Sequence, residues 1–249
     1  MNFRLIACNV FQREACVCIA RAPHVVDVDF MELGEHARPD QLRALLQARI
    51  DAAEQAPRRY DAVLLLFGLC GNAGVGLMAR QTPLVLPRAH DCATILLGSR
   101  STFQQHFADN PSQGFSSSGY LDRGDYFLRK PEEGGGVAEG DSYAELVKQH
   151  GEENARYVWE ALHPNRPGDD QAVFIRMPGI EDARHLARFR VQAEATGKQC
   201  VELAGDLRLI AALLDGHWDE SEFLVVPPGY QTAGVYDSEE VVRAKPVTA

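Results

Sequence analysis

No part of the chain approaches the ~18 consecutive apolar residues that a membrane-crossing helix requires, so no span is expected. Basic clusters are missing as well. The chain carries 25 Lys+Arg against 35 Asp+Glu, a formal net charge of −10. Nucleic-acid backbones and anionic lipid surfaces are held by grouped Lys and Arg. The composition therefore predicts neither kind of partner, while leaving room for one local positive pocket. The opening MNFRLIACNVF has a single arginine and no extended apolar run. No secretory leader is expected from it, and the expected compartment is the cytoplasm. Six cysteines in 249 residues are too few for a disulfide scaffold. In a reducing compartment they are thiols, available for packing, metal or catalysis.

Two common catalytic signatures are also absent. No G-x-S-x-G elbow occurs, which excludes the usual serine-hydrolase arrangement. The glycine-rich stretch GLCGNAGVG is neither G-x-G-x-x-G nor a phosphate-binding loop, because it lacks the lysine and hydroxyl that hold a nucleoside triphosphate. It can still direct backbone N–H groups toward an anion, or serve only as a tight strand-to-helix turn.

What is present is an alternation. FRLIA, VVDVDF, DAVLLLF and PLVLP read as strands, the third covered on both faces. Between VVDVDF and DAVLLLF, residues 40–55 carry Leu42, Leu45, Leu46 and Ile50 at helical spacing. Residues 92–107 read as a helix packed on the sheet. After a polar, turn-rich stretch the rhythm resumes with QAVFIRM, a helix closed by Gly197, KQCVEL, a helix from Asp206 to Gly216, and EFLVV. Strands alternating with helices predict an α/β fold, with parallel sheet flanked by helices. The expected organisation is an amino-terminal α/β lobe over 1–109, a long excursion with little regular structure over 110–140, and a helix plus carboxyl-terminal lobe over 141–249. The expected architecture is two Rossmann-like lobes enclosing a cleft, or one sheet extended by the second set of strands.

On that scheme Cys8, Cys70 and Cys92 all fall at carboxyl ends of parallel strands, the edge where open α/β sheets bind ligands. If the strand order begins 2-1-3-4, the three strands are consecutive neighbours, ~4.8 Å apart. Three thiolates together repel one another unless a cation holds them. Zinc takes such ligands and in catalytic sites keeps a position open; an iron–sulfur cluster is the alternative. Against this stands the plain reading of each cysteine as a small buried hydrophobe. Cys16 and Cys18, in a helical segment, and Cys200, within a strand, are expected to pack.

Other candidates surround the cysteines. His90 is a metal ligand or general acid/base candidate. Arg88 can fork onto a substrate carboxylate or form an ion pair with Asp91 that shapes the turn. Asn72 can donate to a ligand or cap a helix. Ser99 can bind a ligand or a backbone acceptor. Tyr120 can cover the site or anchor a loop.

GLCGN and LPRAHDCATILLGS, with IACNVF near the start, KQHGEENARYVWEAL in the middle and AGDLRLIAALLDGHWDESEFLVVPPG near the end, make the chain recognisable over nearly its whole length. It resembles an uncharacterised family known as domain-of-unknown-function family 1638. The resemblance places Cys8, Cys70 and Cys92 at the family's motif cysteines. It also implies an association with corrinoid-dependent methyl transfer and one-carbon metabolism, though no established reaction. The segment RKPEEGGGVAEGD is longer than the family's usual form. The expectation is thus a zinc-dependent enzyme acting on a small molecule. Its alternatives are a non-catalytic metal-carrying partner of a corrinoid protein or methyltransferase, and a metal-free thiol enzyme using Cys70.

Overall fold

The computed structural model describes residues 1–32, 39–70, 72–111, 113–124, 147–148, 151–152, 156, 167–235 and 240–247. By internal contacts the chain forms two units. The first comprises Met1–Phe103, Met177–Ile180 and Ala204–Ala249, and the second Gln104–Arg176 and Glu181–Leu203.

The first unit is built on a five-stranded sheet. It opens with β1 (Asn2–Cys8), a 3-10 turn over Asn9–Phe11, α1 (Gln12–Ile19), β2 (Val25–Met31), α2 (Pro39–Glu54), β3 (Ala62–Leu66) and β4 (Leu84–Pro87). β1 pairs in parallel with β2 on one side and β3 on the other, and β3 pairs in parallel with β4. The strand order therefore begins 2-1-3-4, the order that makes the strands leading to Cys8, Cys70 and Cys92 consecutive neighbours. Every residue of β3 is buried, which is why AVLLL runs apolar without a break: helices cover both faces of an inner parallel strand. α2 buries Leu42, Leu46, Ile50 and Ala53 along one stripe, whereas Leu45 is 41% exposed. An i, i+4 stripe two residues wide suffices to dock a helix on a sheet.

Residues 92–107, expected as one helix, are two: α3 (Cys92–Leu96) and α4 (Arg100–Phe107). The break is at Gly98, whose φ is +76° and whose Cα faces the Asp206 side chain so closely that a Cβ would sit 2.6 Å from it. Only glycine meets both demands.

The end of the chain returns to this unit. α7 (Arg208–Leu214) packs on β3 and β4. β8 (Phe223–Val226) closes the sheet edge beside β4, antiparallel to it. β9 (Tyr230–Gly234) and β10 (Val242–Pro246) form an antiparallel ribbon.

The second unit holds a three-stranded sheet in the order β5-β6-β7, with β5 (Phe115–Ser116) parallel to β6 (Gln171–Arg176), and β7 spanning Gln199–Ala204. α5 (Ser118–Arg123) and α6 (Ala183–Ala195) complete it. Leu121, Phe174, Leu186 and Phe189 form its core, with Cys200 packed against them. Within the expected excursion 110–140, β5 and α5 are regular: Phe115 is the apolar residue that lets this polar stretch join a sheet. Residues 125–140, most of the expected helix over 141–162, and the expected start of the second lobe lie outside the described residues.

Candidate functional site

Two loops at the carboxyl edge of the first sheet run side by side. Beyond β3 and β4 the two loops stay tied together, by Leu69 N–H to Ala89 C=O at 2.9 Å and Cys70 N–H to His90 C=O at 3.3 Å. Gly68 makes this approach possible, since a Cβ there would lie 2.7 Å from the Cα of Asp91. The chain then turns sharply. Cys70 and Asn72 both have positive φ, 46° and 71°. A non-glycine residue in the left-handed region costs energy and is held there by its surroundings.

The sharp turn puts Cys70 beside Cys92. The Cys70 thiol hydrogen-bonds to Cys92, and Cys8 lies near enough to act on it electrostatically. These are the ends of neighbouring strands. Cys8 is the last residue of β1, Cys70 lies just past β3, and Cys92 opens α3 just past β4. Cys8 and Cys92 are buried and Cys70 is half-buried. The Cys70 pKa is pushed well above that of a free thiol. The hydrogen bond to Cys92 is the largest cause, followed by burial, by Cys92 and Cys8 as would-be negative charges, and by Asp91.

Asp91 caps α3. Its Oδ1 accepts from Thr94 N–H at 3.0 Å and from the Thr94 hydroxyl at 3.1 Å. Burial raises its pKa in spite of those bonds. Asp91 thus serves the helix start, where one of two expectations made it an ion-pair partner of Arg88. The D-C-A-T spacing, an aspartate three residues before a threonine at a helix start, was the signal for a cap. His90, next to it, is exposed, and its charge is felt at Asp91.

The remaining candidates have other duties. Arg88 Nε donates to Glu220 C=O and Nη1 to Glu240 C=O, each at 2.8 Å, and Nη1 also reaches Val242 C=O. Its guanidinium ties β4 to the segment before β8 and to β10. Asn72 has an exposed side chain, while its carbonyl accepts from Arg43 Nη2 at 3.1 Å. The Ser99 hydroxyl accepts from Thr102 N–H at 3.0 Å and so caps α4. Tyr120 belongs to the second unit, where it is buried and meets the Phe115 ring edge-on at 5.5 Å. Of the eight residues singled out, the structure thus groups Cys8, Cys70 and Cys92, with His90 on the adjoining loop.

One polar residue escaped the sequence reading. Asn9 follows Cys8 and is 3% exposed. Its Nδ2 donates to Glu32 at 2.9 Å, and its Oδ1 is buried without a hydrogen-bond partner among the described residues.

The donor chemistry of the cysteines suits a soft cation. Their placement is that of hydrogen-bonded thiols: among the described residues, no group of three or more His, Cys, Asp or Glu is arranged to hold a metal ion.

A family model decides the relationship. It matches residues 30–214. The chain belongs to the family described as protein of unknown function, DUF1638. The matched segment contains Cys70, His90 and Cys92, and Cys8 lies ahead of it. No curated protein and no solved structure matches the chain at a significant level. Among the described residues, no helix of this DUF1638 protein is long and apolar enough to cross a membrane.

Proposed function

We propose that this DUF1638 protein is an α/β enzyme acting on a small molecule at the carboxyl edge of β1, β3 and β4. Its thiols Cys70 and Cys92, with Cys8 beside them, take up a soft cation, zinc in the first instance. The observation that carries this reading is the Cys70–Cys92 hydrogen bond at the ends of adjacent parallel strands, with Cys8 within electrostatic range. Ligand sites of open α/β sheets lie at that edge.

The state of Cys70 favours the metal reading over a metal-free thiol enzyme. A nucleophilic cysteine needs its pKa lowered. Here Cys92, burial and Cys8 all hold the Cys70 proton on. A cation removes the conflict by neutralising the thiolates it binds. Bound zinc makes a coordinated thiol or water a nucleophile near neutral pH. His90, exposed beside the thiols, is placed to move a proton to or from a substrate. Asp91 keeps Cys92 at the head of α3 by capping that helix. A thiol, an amine or a methylated compound is the first substrate to test, in keeping with the methyl-transfer setting that the resemblance implies.

Cobalt(II) titration of the full chain tests the ligand set, since thiolate–cobalt charge-transfer absorption grows with each sulfur bound. Intense near-ultraviolet bands that saturate at one equivalent and weaken in Cys70→Ser, Cys92→Ser and Cys8→Ser support the reading. A spectrum without thiolate bands overturns it.

A further inference from the structure

The same two loops carry a second consequence, which rests on the pairing of Cys70 with Cys92 and not on the zinc reading. Backbone hydrogen bonds hold residues 69–70 against 89–90. Gly68 packs on Asp91 without room for a side chain. Cys92 lies two residues past His90, whose carbonyl accepts from Cys70 N–H, and a disulfide spans ~4.4–6.8 Å between Cα atoms. The thiols already meet in a hydrogen bond. Cys16, by contrast, is exposed on α1, and Cys200 packs against the core of the second unit.

We propose that Cys70 and Cys92 form an oxidation site, closing to an intramolecular disulfide when the protein meets a hydroperoxide.

The chemistry balances with hydrogen peroxide as oxidant. Cys70, the less buried of the two, reacts slowly at neutral pH because its surroundings keep it protonated; once its proton is lost, the thiolate attacks the O–O bond and becomes a sulfenic acid, and the departing hydroxide takes up that proton as water. The Cys92 sulfur then attacks the Cys70 sulfur, and a second water leaves with the Cys92 proton. Two thiols lose two electrons and two protons, and one peroxide is reduced to two waters. The strained left-handed turn at Cys70 is where the chain can give as the sulfurs close from hydrogen-bonding distance to ~2.05 Å. A disulfide has no thiolate to offer, so oxidation and metal loading exclude each other. The site would be silenced by oxidant and restored by a reducing thiol.

The test is peptide mapping of the full chain, stripped of metal by chelation and then exposed to limiting hydrogen peroxide. Trypsin cuts after Arg59, Arg80, Arg88 and Arg100 and so places the two cysteines on separate peptides. The expected product under non-reducing conditions is 60–80 linked to 89–100, two hydrogens lighter than the sum, with two of the six thiols lost first. Cys70→Ser should abolish the link, spare Cys92 from it and leave Cys8, Cys16, Cys18 and Cys200 reacting as before. If both residues stay reduced while Cys16 oxidises, or each goes separately to sulfinic acid, the inference is overturned. A parallel sample preloaded with zinc separates the two proposals. A link that forms equally with and without zinc upholds the disulfide and counts against the metal. Zinc binding without any link in the stripped protein does the reverse.

Discussion

Gly68 and Asp91 touch backbone to backbone: a methyl group on Gly68 would lie 2.7 Å from both the Cα and the carbonyl carbon of Asp91. Neither is the yielding end of a side chain. Gly68→Ala is therefore expected to push the loops after β3 and β4 apart. Overpacking of this kind costs about 1–3 kcal/mol, readable as a lower urea midpoint. The same variant should lose the Cys70–Cys92 contact, so its disulfide yield under peroxide should fall further than its stability explains.

Arg88 is expected to act as a clamp and not as a substrate ligand. Its guanidinium serves backbone carbonyls of Glu220, Glu240 and Val242. Arg88→Met leaves those acceptors without their donor, at a cost of about 2–3 kcal/mol. Hydrogen exchange should quicken over 240–246, where β10 pairs with β9. Arg88→Lys should recover only part of the loss, because one ammonium cannot reproduce a planar fork. Unchanged stability with weakened substrate binding would contradict this role.

These two residues show what a single chain discloses and what it withholds. The apolar runs at 3–7, 62–66 and 84–87 were legible as inner strands because burial on both faces leaves no polar alternation. From parallel order it followed that Cys8, Cys70 and Cys92 share an edge. Arg88 could not be read, since its acceptors lie more than 130 residues away and are backbone atoms that no residue type advertises. From the sequence, β8 fits either a second lobe or an extension of the first sheet. Its run FLVV carries no mark of sheet or direction, and both are decided by pairing with β4. Phe115–Ser116 is too short for any periodicity to register. Asp91 was within reach, as its cap spacing stands in the sequence.

Cys18 predicts an alkaline loss of stability. Burial on α1 pushes its pKa from 9.0 to about 11. The folded chain thus holds this proton more tightly than the unfolded one. The stabilisation is complete below about pH 9 and is lost as pH rises through about 11. Two units correspond to roughly 2–3 kcal/mol. Urea unfolding at about pH 8 and about pH 11.5 should show wild type losing more stability than Cys18→Ala, by an amount of that order. Parallel losses in the two proteins would contradict it.

The central claim is that the thiols at the mouth of β1, β3 and β4 are a cation site. Elemental analysis of the untagged full chain, purified under reducing conditions, tests it most directly. The account predicts one zinc per chain, or iron with sulfide if a cluster forms, and loss of that metal in Cys70→Ser and Cys92→Ser while each keeps a cooperative unfolding transition. Substoichiometric metal in the parent, or the same content in both variants, would contradict it.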